Sequence, residues 1–324
     1  MRERKILYLS RRDVEKAGVP MTDIIAAVEE MFREKAAGRT EMPPKIGIHT
    51  KPDAFIHAMP AYLPKSGSAG LKWVSGYPEN AKRGLPYISG LIVWNDAETG
   101  LPLAVMDATW ITAKRTGAAT AVAAKYLARL DSEVAGVLGC GVQGFSNVEA
   151  LRCLFPLRRI KAFDIDPEVV RAYTEKVRRD FDLAVEVVST PEAAVRGSDI
   201  VVTAGPLLKN PLPVIEDSWF GLGAFASPVD YDSYWRADVL RSVDKFCTDD
   251  VGQMMFTKSL GFFRGIPDKI LELGDIVAGK IPGREREDER TMSMNLGLAL
   301  DDMAVAPLVY RRALELGLGT SLPL

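Results

Sequence analysis

Cysteine and histidine are scarce in this chain of 324 residues, which has three cysteines (Cys140, Cys153, Cys247) and two histidines (His49, His57). The cysteines lie far apart with no C-x-x-C pair, which argues against a zinc site, and two histidines exclude a histidine-rich metal centre. No metal is expected. An odd, sparse set of thiols suits a reducing cytoplasm. Long apolar runs are missing too, since nothing approaches the ~18 consecutive apolar residues of a membrane span. The opening Met-Arg-Glu-Arg-Lys-Ile-Leu-Tyr-Leu-Ser has too short an apolar run for a signal peptide. Charge of one sign is lacking as well: 41 basic against 43 acidic residues leave a net charge of −2. That balance offers no electrostatic footprint for nucleic acid or an anionic membrane. The remainder, 47% hydrophobic and 26% charged, is ordinary soluble composition, and the length points to two domains.

The first strong helical pattern runs from Thr22 to Ala37, with Ile24, Ile25, Val28, Met31 and Phe32 at helical spacing, Thr22 as cap and Gly38 as stop. Short β-like runs follow at Ala54–Met59, Gly70–Ser75, Ile88–Asn95 and Leu101–Asp107, the last two joined by a hairpin signal at Asn95–Gly100. This part reads as a helix plus a mostly antiparallel sheet. Beyond an Ala-rich helix at Ile111–Leu130 the pattern alternates: strand Glu133–Leu138, helix Val142–Leu154, strand Arg159–Asp164, helix Pro167–Phe181, strand Ala184–Val188. Helix Pro191–Arg196 and strands Ile200–Ala204 and Gly223–Ser227 continue it. Such alternation means βαβ units and a parallel sheet. Gly283–Arg290 reads as a solvated, charged loop, and a final apolar helix spans Ala299–Leu316.

Gly139-Cys-Gly141-Val142-Gln143-Gly144 follows an apolar strand and opens a helix, which is the setting of a Rossmann phosphate loop. The first glycine permits the tight turn, the second lets backbone approach a pyrophosphate, and the third packs the helix on its strand. The helix start then offers free N–H groups to the phosphates. Asp164, 20 positions after Gly144, would accept hydrogen bonds from the adenosine ribose. A 2′-phosphate there would meet like charge, so NAD is preferred. Arg158, Arg159 and Lys161 keep NADP open.

Three segments place a cation beside small residues: Glu41-Met-Pro-Pro-Lys45, Gly70-Leu-Lys72-Trp-Val-Ser-Gly76 and Ala113-Lys-Arg115-Thr116-Gly. Together with the phosphate loop they resemble the ornithine cyclodeaminase/mu-crystallin family, almost end to end. The resemblance is most specific over Gly70–Asn80, Gly84–Arg129 and Val277–Arg284. It implies an α/β chain with a Rossmann dinucleotide-binding domain (113–302) and an α+β substrate and dimerisation domain (1–112 with 303–324). It also implies a homodimer. By position, Lys45 and Arg115 would hold a substrate carboxylate, and Lys72 would polarise the substrate or relay a proton. Asp232 would hold the substrate nitrogen and act in proton transfer. Thr116, Thr203, Ala204, Gly205, Ser227, Asn295 and Gly297 would line the cofactor.

Departures from the family pattern bear on substrate. The family's Gly-Ala-Asp or Gly-Gly-Asp with a following Pro-Gly-Lys is replaced by Asp230-Tyr-Asp232-Ser-Tyr-Trp235, which leaves Asp230 open as the active-site acid. Where the cyclodeaminases carry a Glu before Met-Pro, this chain has His57, a residue without fixed negative charge, so ornithine is disfavoured. The implied activity is an NAD-dependent oxidoreductase on the C–N bond of a small amino or imino acid, an amino-acid dehydrogenase or imine reductase. The alternatives are an ornithine cyclodeaminase-type ammonia lyase using NAD catalytically and a non-catalytic, dinucleotide-dependent small-molecule binder.

Overall fold

The computed structural model describes residues 4–324 and divides into two compact units. One comprises the chain up to Arg115 together with Leu298–Leu324, and the other Thr116–Gly297.

In the first unit, β1 (Lys5–Leu9) leads through α1 (Arg11–Ala17) to α2 (Met21–Ala36). Strands β2 (Ile46–Ile48), β3 (Phe55–Leu63), β4 (Ser68–Gly76), β5 (Ile88–Asp96) and β6 (Pro102–Asp107) follow. The helix α3 (Thr109–Leu127) carries the chain out of this unit. The expected antiparallel set is present from β3 to β6, and β2 adds to its edge. Three strands escaped notice in the sequence: the short β2, then β1, parallel to β6, and the last strand of the chain, Thr320–Pro323, which closes the edge beside β1. Helix α2 opens on Pro20, whose fixed φ suits a helix entry, rather than on Thr22. The hairpin at Asn95–Gly100 is held by Asp96, whose carboxylate accepts from the Glu98 amide and the Thr99 hydroxyl.

Strand alternation sorts this sheet into two faces. Met59, Lys72, Ile92 and Met106 face each other across β3–β6 and are all buried. Against that face packs the helix Ala299–Glu315, whose apolar stripe runs through Leu300, Met303, Val305 and Ala306. The opposite row, Ile46, Ala58, Trp73 and Leu91, is apolar yet open, with Ile46 65%, Trp73 46% and Leu91 42% exposed.

The second unit continues α3 and then alternates as expected: β7 (Val134–Leu138), α4 (Val142–Leu151), β8 (Arg159–Phe163), α5 (Pro167–Phe181), β9 (Ala184–Val187), α6 (Pro191–Val195), β10 (Ile200–Thr203) and β11 (Phe225–Pro228). Further elements escaped the pattern because they are short: α7 (Ala237–Ser242), β12 (Lys245–Thr248), α8 (Val251–Ser259), β13 (Leu271–Glu272), α9 (Leu273–Val277) and β14 (Thr291–Ser293). In the first unit, the Ala299–Glu315 helix is α10 and the closing strand is β15. All eight strands of the second sheet run parallel, in the order β13-β12-β14-β11-β10-β7-β8-β9. Chain order reverses between β7 and β10, and open sheets of this kind bind ligands beyond the strand ends at that point.

The Gly283–Arg290 run is a loop, solvated over Glu285–Asp288 but anchored at its ends. Arg284 donates to the carbonyls of Leu127 at 2.8 Å and Glu289 at 2.7 Å, and Glu289 itself is 1% exposed. The guanidinium satisfies a carbonyl at the end of α3 that the helix cannot satisfy itself.

Candidate functional site

The phosphate loop takes the shape its glycines require. Gly139 sits at φ +96°, and a Cβ on Gly144 would stand 2.2 Å from the Gly139 carbonyl oxygen. A Cβ at Gly141 would meet nothing within 4 Å, so the backbone there faces open space at the start of α4. Val142, 66% exposed, begins that helix, and no side chain caps it. Gln143 buries an unpartnered Oε1. Asp164 directly follows β8, its Oδ2 accepting from the Cys140 amide at 2.8 Å and its Oδ1 from the Asp166 amide at 3.1 Å. The loop, its open second glycine, the uncapped helix start and the acid at the strand end are the parts a dinucleotide needs, so these residues fit NAD(H).

Cofactor candidates at the other strand ends fall into two groups. Ala204 and Gly205 lie directly beside the loop, since a Cβ on Gly139 would stand 2.5 Å from the Ala204 oxygen. Thr203 is wholly buried and its hydroxyl bonds Asp230, so it supports the loop rather than lining an open surface. Ser227 is likewise buried, its hydroxyl 2.9 Å from that of Thr120. Asn295 bonds Ser293 through Oδ1 at 2.8 Å, and Gly297 turns at φ +79° with its N–H held by the buried carboxylate of Asp249 at 2.6 Å. Thr116 is half-buried on α3.

The two acids after β11 differ. Asp230 is 1% exposed and accepts from the Thr203 hydroxyl at 2.6 Å and the Gly205 amide at 2.8 Å. Burial pushes it up to about 7, against the pull of those two bonds. Asp232 is half-buried, and burial raises its carboxyl against the opposing charge of Arg264. Asp230 is thus committed to its own neighbours, and Asp232 is the one with an exposed side.

In the first unit the cations gather under α10. Lys72 is completely buried, its Nζ 2.6 Å from Asp302 Oδ2. Asp302 is the carboxylate in direct contact with that ammonium. Arg115 reaches Asp301 Oδ2 and Asp302 Oδ1, each at 3.4 Å. Burial and the Arg115 charge bring Lys72 down to about 8, although Asp302 pulls the other way. His57 stacks on Phe55 with ring centres 4.3 Å apart. Burial, then the charges of Lys45, His49 and Lys72, press it down to about 3, so it is neutral at ordinary pH. Lys72, Arg115 and His57 are therefore brought into one charged neighbourhood, with Lys45 half-buried at its edge and felt by His57.

A family model for the ornithine cyclodeaminase/mu-crystallin family matches residues 4–317. The chain belongs to that family. It is 38% identical over 317 residues to the nodulation efficiency protein of Rhizobium meliloti, covering 97% of this chain and 98% of that protein. Among solved structures it is similar to the Δ1-pyrroline-2-carboxylate reductase of Thermococcus litoralis in complex with NADH and L-proline. That match has a TM-score of 0.88 and 35% identity over 97% of this chain and 99% of that one. It is also similar to an archaeal alanine dehydrogenase dimer with bound NAD, with a TM-score of 0.87 and 34% identity over 98% and 99% of the two chains.

Asp301 and Asp302 were missed in the sequence, where the last helix read only as an apolar stripe. Both are wholly buried in the first turn of α10, where a helix dipole favours negative charge, and the Leu298 amide donates to Asp301 at 2.9 Å. A usable signal was present: two adjacent acids inside an apolar helix, in a chain with two cations awaiting counter-charges. Asp249, which holds the Leu296 and Gly297 amides, gave no such signal. Among the described residues no group of three or more His, Cys, Asp or Glu could hold a metal ion, and no helix is long and apolar enough to cross a membrane.

Proposed function

We propose that this member of the ornithine cyclodeaminase/mu-crystallin family is an NAD-dependent oxidoreductase acting on the C–N bond of a small amino or imino acid, as an amino-acid dehydrogenase or imine reductase. The observation that carries the reading is Lys72: a fully buried ammonium, brought down to about 8, with a single carboxylate in contact and the cation Arg115 beside it. Such a group is held ready for an anionic ligand. The family's structures that hold NAD or NADH, one with proline, support the same reading.

Gly139, Gly141, Val142, Gln143 and Gly144 would seat the pyrophosphate, with Asp164 on the adenosine ribose. Asp164 disfavours a 2′-phosphate, so NAD is the cofactor and NADP the weaker ligand. When bound, the nicotinamide supplies or accepts the hydride. Lys45, Lys72 and Arg115 hold the substrate carboxylate, Arg115 with the geometry for two bonds. Lys72, near its midpoint at neutral to mildly alkaline pH, can also share a proton with the substrate. Asp232 holds the substrate nitrogen, and its raised carboxyl can give or take a proton there. His57 is neutral and offers no counter-charge to a distal ammonium, which turns the site away from diamino acids.

The residues up to Arg115 with the C-terminal segment act as the substrate and dimerisation domain, and Thr116–Gly297 as the dinucleotide domain. The open apolar row of Ile46, Trp73 and Leu91 suits a second copy of the chain, and the similar archaeal alanine dehydrogenase is a dimer. Three free cysteines suit a cytoplasmic protein.

The test is NADH oxidation with a panel of 2-oxo acids plus ammonia or methylamine, and with cyclic imino acids. Turnover with at least one supports the proposal. Silence across the panel, with ammonia released from ornithine, overturns it in favour of a cyclodeaminase. NADH binding without any turnover overturns it in favour of a binder.

A further inference from the structure

Most of the segment Asp230–Trp235 has no part in the chemistry above, yet it is tied firmly to the end of β10. Asp230 takes the Thr203 hydroxyl and the Gly205 amide. Ser233 Oγ is placed to donate to the Pro206 carbonyl at 3.1 Å or its own turn's Asp230 carbonyl at 2.7 Å, and Trp235 Nε1 donates to Thr203 Oγ1 at 3.1 Å. Tyr231 holds φ +64°, a left-handed conformation that a bulky residue adopts only when its surroundings impose it. The carbonyl of Tyr234 accepts from the amides of Val214 and Ile215 at 3.0 and 2.8 Å. The backbone of Tyr234 is thereby fixed.

Its ring lies on Gly205. A Cβ there would stand 2.8 Å from Tyr234 Cε2 and 3.3 Å from the phenol oxygen. Gly205 in turn packs on the phosphate loop, since a Cβ on Gly139 would come within 2.9 Å of the Gly205 nitrogen. Two glycines therefore bring a phenol up against the loop that seats the pyrophosphate. Burial, and then the charges of Asp230 and Asp164, push this phenol up to about 12, so it keeps its proton. Its hydroxyl is half-buried and takes no acceptor from the described residues.

We propose that Tyr234 is a dinucleotide-binding residue, its hydroxyl donating to a pyrophosphate or ribose oxygen of the ADP half, with Gly205 kept free of a side chain to admit the ring. This rests on the dinucleotide reading and adds a contact that the phosphate-loop motif does not contain.

Calorimetric titration of NADH and ADP-ribose into the wild-type protein, Tyr234→Phe and Gly205→Ala tests it. Tyr234→Phe removes one oxygen and keeps the ring, so the fold is retained. Loss of one hydrogen bond to the ligand weakens both ligands by about tenfold and by the same factor. Gly205→Ala, which drives a methyl into the ring, gives a similar loss. Unchanged affinities in Tyr234→Phe overturn the proposal while the cofactor reading stands. A loss for NADH but not for ADP-ribose also overturns it, since the contact then lies on the nicotinamide half. Wild-type protein that ignores both ligands sinks the proposal together with the cofactor reading.

Discussion

Replacing Asp302 with Asn leaves Lys72 buried with its counter-charge gone, and two measurable consequences follow. The first is in stability. Breaking a buried ion pair by removing one partner costs about 3–5 kcal/mol, because the remaining charge has neither water nor a partner. Arg115, itself a cation beside Lys72, makes the loss worse. The second is in titration. A carboxylate 2.6 Å away raises a lysine, and an opposite charge at close range is worth about 1–3 pKa units, so Lys72 falls from about 8 to about 7 or below. At pH 7.5 its protonated fraction then drops from about three quarters to about one quarter for a one-unit fall. Substrate-carboxylate binding is present below the Lys72 pKa and lost as pH rises through it, so the alkaline limb of kcat/KM moves at least one unit to lower pH. Urea unfolding and a pH–rate profile read the two effects. The double variant Lys72→Met/Asp302→Asn removes both charges and recovers most of the stability but none of the carboxylate affinity. If Asp302→Asn unfolds within ~0.5 kcal/mol of wild type and leaves the alkaline limb in place, the buried pair does not exist as described.

The imidazole of His57, held near 3, stays flat in an NMR titration from pH 8 to 5; because the unfolded chain takes up that proton from about 6.5 downward, stability declines on acidification, and His57→Gln makes that decline shallower. Gly144→Ala drives a methyl to 2.2 Å from the Gly139 carbonyl, lowers stability by about 1–3 kcal/mol and abolishes NADH fluorescence enhancement. Asp164→Ser weakens NADH at least tenfold and narrows the preference over NADPH; an unchanged ratio would show that the acid does not read the ribose. Trp73→Glu shifts sedimentation from dimer to monomer, and an unaltered dimer places the interface elsewhere.

The dinucleotide unit was legible because its signals are local. Gly139 to Gly144 and Asp164 declare themselves by spacing, and strands such as Val134–Leu138 are uninterrupted apolar runs. The first unit was legible in its antiparallel core, where alternation shows one buried face. What stayed hidden depends on contacts distant in sequence. Asp302 matters through Lys72, 230 positions earlier, and although two adjacent acids in an apolar helix signal a need for counter-charge, nothing near them says which cation supplies it. Gly283–Arg290 read as solvated because charge normally means water, whereas Arg284 and Glu289 find their partners in backbone and in each other's loop. Strands β1 and β15 are short and carry polar ends, and only their pairing makes them strands.

The unit that holds Lys72 and Arg115 is sewn from the two extremities of the chain, with some 180 residues threaded between Arg115 and Leu298. During synthesis the sheet emerges early but stays bare, and its two cations stay uncompensated, until α10 leaves the ribosome with Asp301 and Asp302. A nascent or prematurely terminated chain ending before Leu298 therefore exposes an apolar sheet with unmatched charge at its centre, a product suited to chaperone capture and proteolysis rather than to independent folding.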